Sequence, residues 1–167
     1  TPQTNETFLS IYGFQDTKNT NFDLNLLSAF RIGYLQSNPT TTNFQYTQLN
    51  IETSQIKKRI FNTASLSFGI KKTINKIELN SWIMHTMRPP RVEELYSDGP
   101  HLGTYAYEIG NPELEVEKIY GIENSVSFNG KPFELSFITF YNYSPYYYEM
   151  AKMGDCPEAL DWNPLSG

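Results

Sequence analysis

Apolar and polar residues alternate along several stretches of this chain with the period of two that β-strands require. Between positions 22 and 34 the even-numbered residues are mainly large and apolar, whereas the odd-numbered residues include Asp23 and Arg31. The same alternation recurs in 62–70, 76–87, 120–128 and 133–148, and less cleanly in 7–15. Because successive side chains of a strand point to opposite faces, these stretches predict about six strands with one apolar and one polar face.

Short and long connections alternate between the predicted strands. Short turns are expected at 16–20, at 72–75 and at Asn129-Gly130, which is the strongest hairpin signal in the chain. Long connections are expected after Leu35, Met87 and Tyr148. Antiparallel hairpins joined in this way have all their short turns at one end of the sheet, as the strands of outer-membrane barrels do.

The predicted strand at 133–148 carries a second pattern, because its apolar residues give way to tyrosines along one face. In chain order this face contains Phe133, Leu135, Phe137, Tyr141, Tyr143 and Tyr147. Such a band suits a strand that faces lipid, since the ring packs against hydrocarbon while the hydroxyl stays in water. We therefore predict an all-β fold, an antiparallel up-and-down transmembrane β-barrel, of which residues 1–167 supply a fragment of about six strands.

The segment from Arg88 to Lys118 interrupts the strand pattern and is predicted to be a long ordered loop. Four prolines and three glycines punctuate it, so we expect neither a long helix nor a regular sheet ladder there. Loops of this length in compact domains are usually functional, although a disordered insertion is the alternative reading. Packing is favoured by its apolar and aromatic residues: Val92, Leu95, Tyr96, Leu102, Tyr105, Tyr107, Ile109 and Leu114.

The amino-acid sequence of this loop resembles that of a loop in TonB-dependent outer-membrane receptors. The resemblance rests on the following residues in this order: Arg88-Pro89-Pro90, Glu94-Leu95-Tyr96, Gly110-Asn111-Pro112, Leu114 and Glu117-Lys118. The longer segments from Tyr96 to His101 and from Tyr107 to Pro112 are most similar to the corresponding segments of one branch of the family, which includes receptors for zinc and other metal complexes. Outside the loop the resemblance is weaker.

The resemblance implies a receptor in the outer membrane of a Gram-negative bacterium that imports a scarce metal or metal complex, such as an iron–siderophore or zinc. Its partners would be the TonB-ExbB-ExbD system, the substrate, and the surrounding lipid and lipopolysaccharide. The family's plug domain, TonB box and signal peptide have no counterpart in residues 1–167, so we expect a partial barrel domain. No cofactor is expected.

Composition narrows the alternatives further. The net charge of −5 without a basic cluster argues against nucleic-acid binding. No apolar run reaches the roughly 18 residues of a membrane-spanning helix, and Cys156 alone excludes an internal disulfide. Motifs typical of nucleophilic, phosphate-binding or zinc-protease sites are absent from the sequence, so we predict that the chain is not an enzyme.

The loop also contains the candidate binding residues. We predict ligand contacts from Tyr96, Asp98, His101, Tyr105 and Tyr107, with Asp98 and His101 as potential metal ligands. The simpler reading is a turn aspartate beside a solvated histidine. Seven carboxylates between positions 93 and 117 would attract cations, or would simply form a solvated surface.

Two further residue assignments concern the ends of the loop and the lipid-facing side. Arg88 and Glu117 have the strand phase of one polar face, so an ion pair that closes the loop base is expected. His85 falls in the phase of the apolar face and is not assigned to a site.

Two alternatives to a gated receptor remain open. A soluble antiparallel β module could display the loop to a carbohydrate or protein, in which case Phe133, Leu135 and Phe137 would be buried in a closed core. An ungated diffusion porin would share the strand pattern but would give the packed loop no role.

Overall fold

The structure is a computed structural model that describes residues 1–40, 50–101, 103 and 106–151. Over these residues it contains eight strands, β1 to β8, and one short helix, α1. In chain order the bounds are β1 Thr4–Asn19, β2 Leu24–Pro39, β3 Arg59–Ile74, β4 Ile77–Arg88, α1 Val92–Tyr96, β5 Asp98–His101, β6 Ala106–Ile109, β7 Glu117–Asn129 and β8 Glu134–Tyr146. A single 3-10 turn covers Thr53–Gln55.

Six strands form one antiparallel sheet in the order β1-β2-β3-β4-β7-β8, and β5 pairs only with β6. The prediction of an all-β fold with about six antiparallel strands is confirmed. Over the described residues the sheet does not close on itself. Three short turns, at 20–23, 75–76 and 130–133, lie at one end of the sheet, and the strand ends joined by the long connections 40–58 and 89–116 lie at the other.

Two of the predicted turn positions are wrong. Residues 16–19 belong to β1, where Asp16 pairs with Leu27, and the turn comes later because Asn19 accepts hydrogen bonds from the backbone of residues 21 and 22. Likewise β3 extends to Ile74, and only residues 75–76 form the turn, with Asn75 at φ 55°. Asparagine tolerates this left-handed conformation better than most residues, so the ladder can run to the turn itself.

The long loop is more regular than its composition predicts. A one-turn helix and the small β5–β6 hairpin interrupt it, so the expectation that no sheet ladder enters the segment is wrong. Pro100 is accommodated because β5 is the edge of a two-stranded ladder, where one backbone donor is dispensable.

The register assigns each face of the large sheet. Even positions of β2, β3 and β7 share one face with odd positions of β1, β4 and β8. This surface, here called the apolar face, includes Leu26, Phe30, Ile32, Leu66, Phe68, Ile70, Ile83, Ile122, Val126, Leu135 and Phe137. The predicted alignment of even residues in 22–34 with odd residues in 133–143 is confirmed within the strands, for 24–34 and 135–143, whereas Phe22 and Phe133 lie outside them. The opposite surface is called the polar face.

The hydrophobic core does not lie on the apolar face. Its buried apolar side chains lie where the long connections cover the polar face at one end of the sheet: Leu35, Ile51, Ile56, Phe61, Leu95 and Tyr96. Leu35 and Phe61 are cross-strand partners on that face. None of the described residues covers the apolar face, and even central residues such as Phe68 and Ile83 are each 54% exposed.

Candidate functional site

The long loop is anchored at its base by Arg88, the last residue of β4. Its Nε donates a hydrogen bond of 2.6 Å to Glu117 Oε2, and its Nη1 donates to both carboxylate oxygens of Glu94 at 2.9 and 3.0 Å. The guanidinium also lies 4.8 Å from the ring centre of Tyr148. The expected ion pair between Arg88 and Glu117 is therefore present, and Glu94 joins it.

Glu94 joins the Arg88-Pro89-Pro90 segment of the loop to the Glu94-Leu95-Tyr96 segment. Besides binding Arg88, its Oε2 accepts the backbone N–H of Arg91 at 2.8 Å and so caps the start of α1. Pro89 and Pro90 precede this cap, where a proline costs no helical hydrogen bond. One carboxylate thus connects the end of β4 to the helix that follows it.

The Gly110-Asn111-Pro112 segment contacts the helix α1 segment, which contains Glu94-Leu95-Tyr96, through backbone hydrogen bonds. Gly110 N donates to Ser97 O at 2.7 Å, and Asn111 N donates to Glu94 O at 2.8 Å. A Cβ atom at Gly110 would lie only 2.7 Å from the backbone carbon of Leu95. Glycine is required there because the two backbones approach too closely for any side chain. Pro112 follows and is buried.

Tyr96 is part of the core and not of an open binding surface. The side chain is fully buried, and its hydroxyl donates to the backbone oxygen of Lys57 at 2.9 Å. Burial raises the pKa of the Tyr96 hydroxyl above its ordinary value. In this structure Tyr96 therefore links the long loop to the preceding connection, and no ligand could reach it without a rearrangement of the core.

Asp98 fastens the same two connections together at a second point. Its Oδ2 accepts the backbone N–H groups of Asn50 and Ile51 at 2.8 and 3.0 Å, and its Oδ1 accepts Asn50 Nδ2 at 2.9 Å and Tyr107 OH at 2.8 Å. Burial by itself raises the pKa of Asp98, but these hydrogen bonds outweigh burial and hold the pKa below its ordinary value. Because its carboxylate accepts four hydrogen bonds, the role of Asp98 in this structure is to hold the two connections together.

Tyr107 shares the environment of Asp98. Burial, reinforced by the hydrogen bond to the Asp98 carboxylate, raises the pKa of Tyr107 to about 12. The hydroxyl therefore stays protonated at neutral pH and remains a donor to Asp98. The predicted site residues Asp98 and Tyr107 are in direct contact, as the sequence could not indicate.

The remaining predicted ligand residues lie partly outside the described residues. His101 pairs through its backbone with Ala106 in the β5–β6 hairpin, but its side chain is not among those described, and neither is Tyr105. Among the described residues no three His, Cys, Asp or Glu side chains form a group that could hold a metal ion. The metal-ligand role of Asp98 and His101 remains a prediction.

Several carboxylates in the acidic run of the loop have cationic partners in the same chain. Lys57 Nζ lies 3.9 Å from Glu113, and Arg59 Nη2 lies 3.7 Å from Glu115. Arg59 also donates to the backbone oxygens of Pro112 and Leu114, the latter at 2.9 Å. Because Arg88 already binds Glu94 and Glu117, most carboxylates in this segment have partners, which weakens the idea that they collect cations.

Sequence reasoning missed the contribution of the preceding connection. Asn50 and Arg59 donate hydrogen bonds to the loop, and the backbone oxygen of Lys57 accepts one from Tyr96, yet all three residues lie in a stretch without clear periodicity. The only available signal was the charge contrast between a basic 57–59 and an acidic 113–117. Together the described parts of the two connections form one cross-linked unit, here called the rim unit (50–58 and 88–117).

Comparisons with protein-family models, with curated proteins and with solved structures found no match to this chain. Within the ranges that the structure describes, no helix is long and apolar enough to cross a membrane. The family resemblance of the loop is consequently carried by its residues alone.

Proposed function

We propose that this chain is the barrel portion of a TonB-dependent outer-membrane receptor that imports a scarce metal or metal complex. The observation that carries the proposal is the distribution of charge over the large sheet. Its apolar face contains only two residues with a full charge, Lys72 and Lys118. The polar face contains the other charged residues of the six strands: Glu6, Asp16, Lys18, Arg31, Arg59, Lys71, Glu78, Arg88, Glu117, Glu123 and Glu134.

This distribution supports a lipid-facing surface. Charged residues at membrane depth are costly, whereas the opposite side of a transmembrane barrel faces a polar interior. The apolar face also gains tyrosines towards the long connections, with Tyr120 and Tyr143 directly opposed across β7 and β8. Aromatic residues of this kind are expected at the boundary between hydrocarbon and headgroups.

The rim unit supports a receptor in preference to a simple pore. It covers the polar face at the end with long connections, which in a barrel is the mouth of the interior. Its two connections are held by buried apolar side chains and by the hydrogen bonds of Asp98, so it forms a fixed surface and not a loose loop. A fixed rim suits substrate recognition, with the imported species captured before gating by the inner-membrane TonB-ExbB-ExbD partners.

The exposure of three apolar side chains on β8 and the turn before it argues against the soluble β module. That alternative requires burial of Phe133, Leu135 and Phe137, which are 62%, 65% and 68% exposed in this chain. An exposed apolar surface of this extent in water would drive aggregation.

The test uses the complete open reading frame that encodes this chain, expressed in a Gram-negative host with and without TonB. We expect the protein in carbonate-washed outer membranes, and uptake of zinc or of a ferric siderophore only when TonB is present. Recovery in the soluble fraction would contradict the membrane assignment. Uptake that persists without TonB would instead indicate a passive porin.

The choice between free zinc and an iron chelate needs a variant that leaves the rim unit intact. Because Asp98 holds Asn50 and Ile51, replacing it would confound ligand loss with structural loss. We therefore choose His101→Ala for the ligand test and His85→Ala as the control, because His85 is the other histidine of the chain and is not assigned to a site. Loss of zinc uptake in His101→Ala alone, with normal surface expression, supports direct zinc ligation; unchanged zinc uptake removes it.

A further inference from the structure

The two lysines of the apolar face occupy opposite ends of the sheet and have different surroundings. Lys72, near the short turns, donates from Nζ to the backbone oxygen of Phe22 at 3.3 Å. Lys118, near the long connections, is exposed and has no salt bridge among the described residues. The apolar face contains no carboxylate that could neutralise either one. Within the part of the chain that the structure describes, Lys118 is thus a cation without an ion-pair partner, on a surface otherwise suited to hydrocarbon.

Lys118 also borders a groove of about 380 Å³. The groove is lined by Met87, Glu115, Val116, Lys118, Pro145 and Tyr146. Its one carboxylate, on Glu115, already has Arg59 within 3.7 Å and so does not cancel the lysine. On the other side of Lys118 along β7, the rings of Tyr120 and His85 contact each other at a tilt of 36°, with centres 4.8 Å apart. The groove therefore combines one cation with an apolar and aromatic lining.

We propose that Lys118 and this groove bind an anionic lipid, with its phosphate at the ammonium group and an acyl chain along the apolar face towards Ile122. The inference rests on the proposed function, because only an embedded face meets lipid. An ammonium group forms strong, charge-assisted hydrogen bonds with phosphate. A lysine at the boundary of an apolar surface lies where lipid headgroups lie, beside the aromatic residues typical of that boundary. A second copy of the chain fits less well, since this face offers no anion to Lys118.

The test uses the complete membrane-embedded protein in maltoside micelles that contain equal amounts of phosphatidylglycerol and phosphatidylcholine. Native mass spectrometry counts the lipids retained by wild type, by Lys118→Gln and by Lys72→Gln, the matched control at the other end of the same face. Wild type should retain phosphatidylglycerol preferentially. In Lys118→Gln the preference for phosphatidylglycerol should fall about fivefold, which corresponds to the attraction of one lysine to an anionic surface. Lys72→Gln should keep the preference.

Several outcomes would overturn the proposal. Equal retention of the two lipids by wild type, or an equal loss in both lysine variants, would mean that Lys118 forms no specific site. Inorganic phosphate at millimolar concentration should not displace the lipid; displacement would identify a free anion as the true ligand. A protein that embeds and transports normally but fails these tests refutes only this inference, whereas a protein that never enters the membrane refutes the proposed function.

Discussion

The rim unit buries hydrophobic side chains, whereas the apolar face leaves them exposed. The rim unit is rich in charge, proline and glycine, yet it contains the fully buried Leu95 and Tyr96. The apolar face is regular and hydrophobic, yet its Leu135 is 65% exposed. Local hydrophobicity therefore does not determine burial here, and the presence of a covering element does.

The difference has a simple physical origin. A single sheet has nothing to pack against on a face unless loops or a second layer fold over it. In this chain the long connections fold over the polar face, and the short turns cannot reach the apolar one. Polar groups in the rim unit then need hydrogen-bond partners. Arg88 and Arg59 donate such hydrogen bonds, and Asp98 accepts them.

The largest effect should come from removing a core side chain of the rim unit. Leu95→Ala should lower the free energy of local opening of segment 88–117 by about 3 kcal/mol, since the lost methyl groups leave a cavity. Hydrogen exchange of the detergent-solubilised complete protein measures this opening. Leu135→Ala, on the exposed apolar face, is the matched control and should leave the same exchange rates unchanged. Equal effects of the two variants would erase the distinction between the regions.

The next largest effect should come from the ion pair at the loop base. Arg88→Met leaves the Glu117 carboxylate buried and without its cation, as the Glu117 side chain is only 2% exposed. Breaking a buried pair costs about 3–5 kcal/mol, and because Arg88 is itself 36% exposed we expect about 2 kcal/mol in the same exchange measurement.

A second variant separates the charge effect from lost packing. In Arg88→Met combined with Glu117→Leu no buried charge remains, so a large part of the lost stability should return. If the double variant is as unstable as Arg88→Met alone, the carboxylate is not the source of the cost.

A smaller, pH-dependent effect is expected from Asp98. Its pKa is lower in the folded rim unit than in the unfolded chain, so deprotonation favours the fold. The stabilisation is present above the unfolded pKa of about 3.9 and is lost as the pH falls through the lower, folded pKa. Asp98→Asn should therefore increase exchange of the Ile51 amide at neutral pH, while the difference from wild type should vanish in strong acid. A difference that does not depend on pH would contradict the charge argument.

The smallest effect should come from the exposed pair of Lys57 and Glu113. Both side chains are more than half exposed and their charges are 3.9 Å apart. Lys57→Gln should change the opening free energy by no more than about 0.5 kcal/mol. Arg59→Gln is the informative comparison, because Arg59 is 13% exposed and donates to two backbone oxygens of the loop. Arg59→Gln should be clearly the more damaging of the two.

The strand pattern by itself determined much of the fold. Alternation with a period of two identified the six long strands and, for all of them except β1, the residues of the apolar face, because side-chain direction in a strand follows directly from position. The same phase argument paired Arg88 with Glu117 across the loop base. Turn positions were less accurate, since polar residues near a strand end, such as Asp16 and Lys72, fit a ladder as well as a turn.

The tertiary structure decided how the loop is used. Tyr96 is a core residue, and Asp98 joins two connections through Asn50, because contacts over 39 and 48 sequence positions leave no periodic signal in either segment. Which face receives the loops was equally undetermined, because the alternation assigns each side chain to a face of the sheet but does not say which face the loops cover. Periodicity fixes where a side chain points along a strand, but only the path of the long connections decides what it meets there.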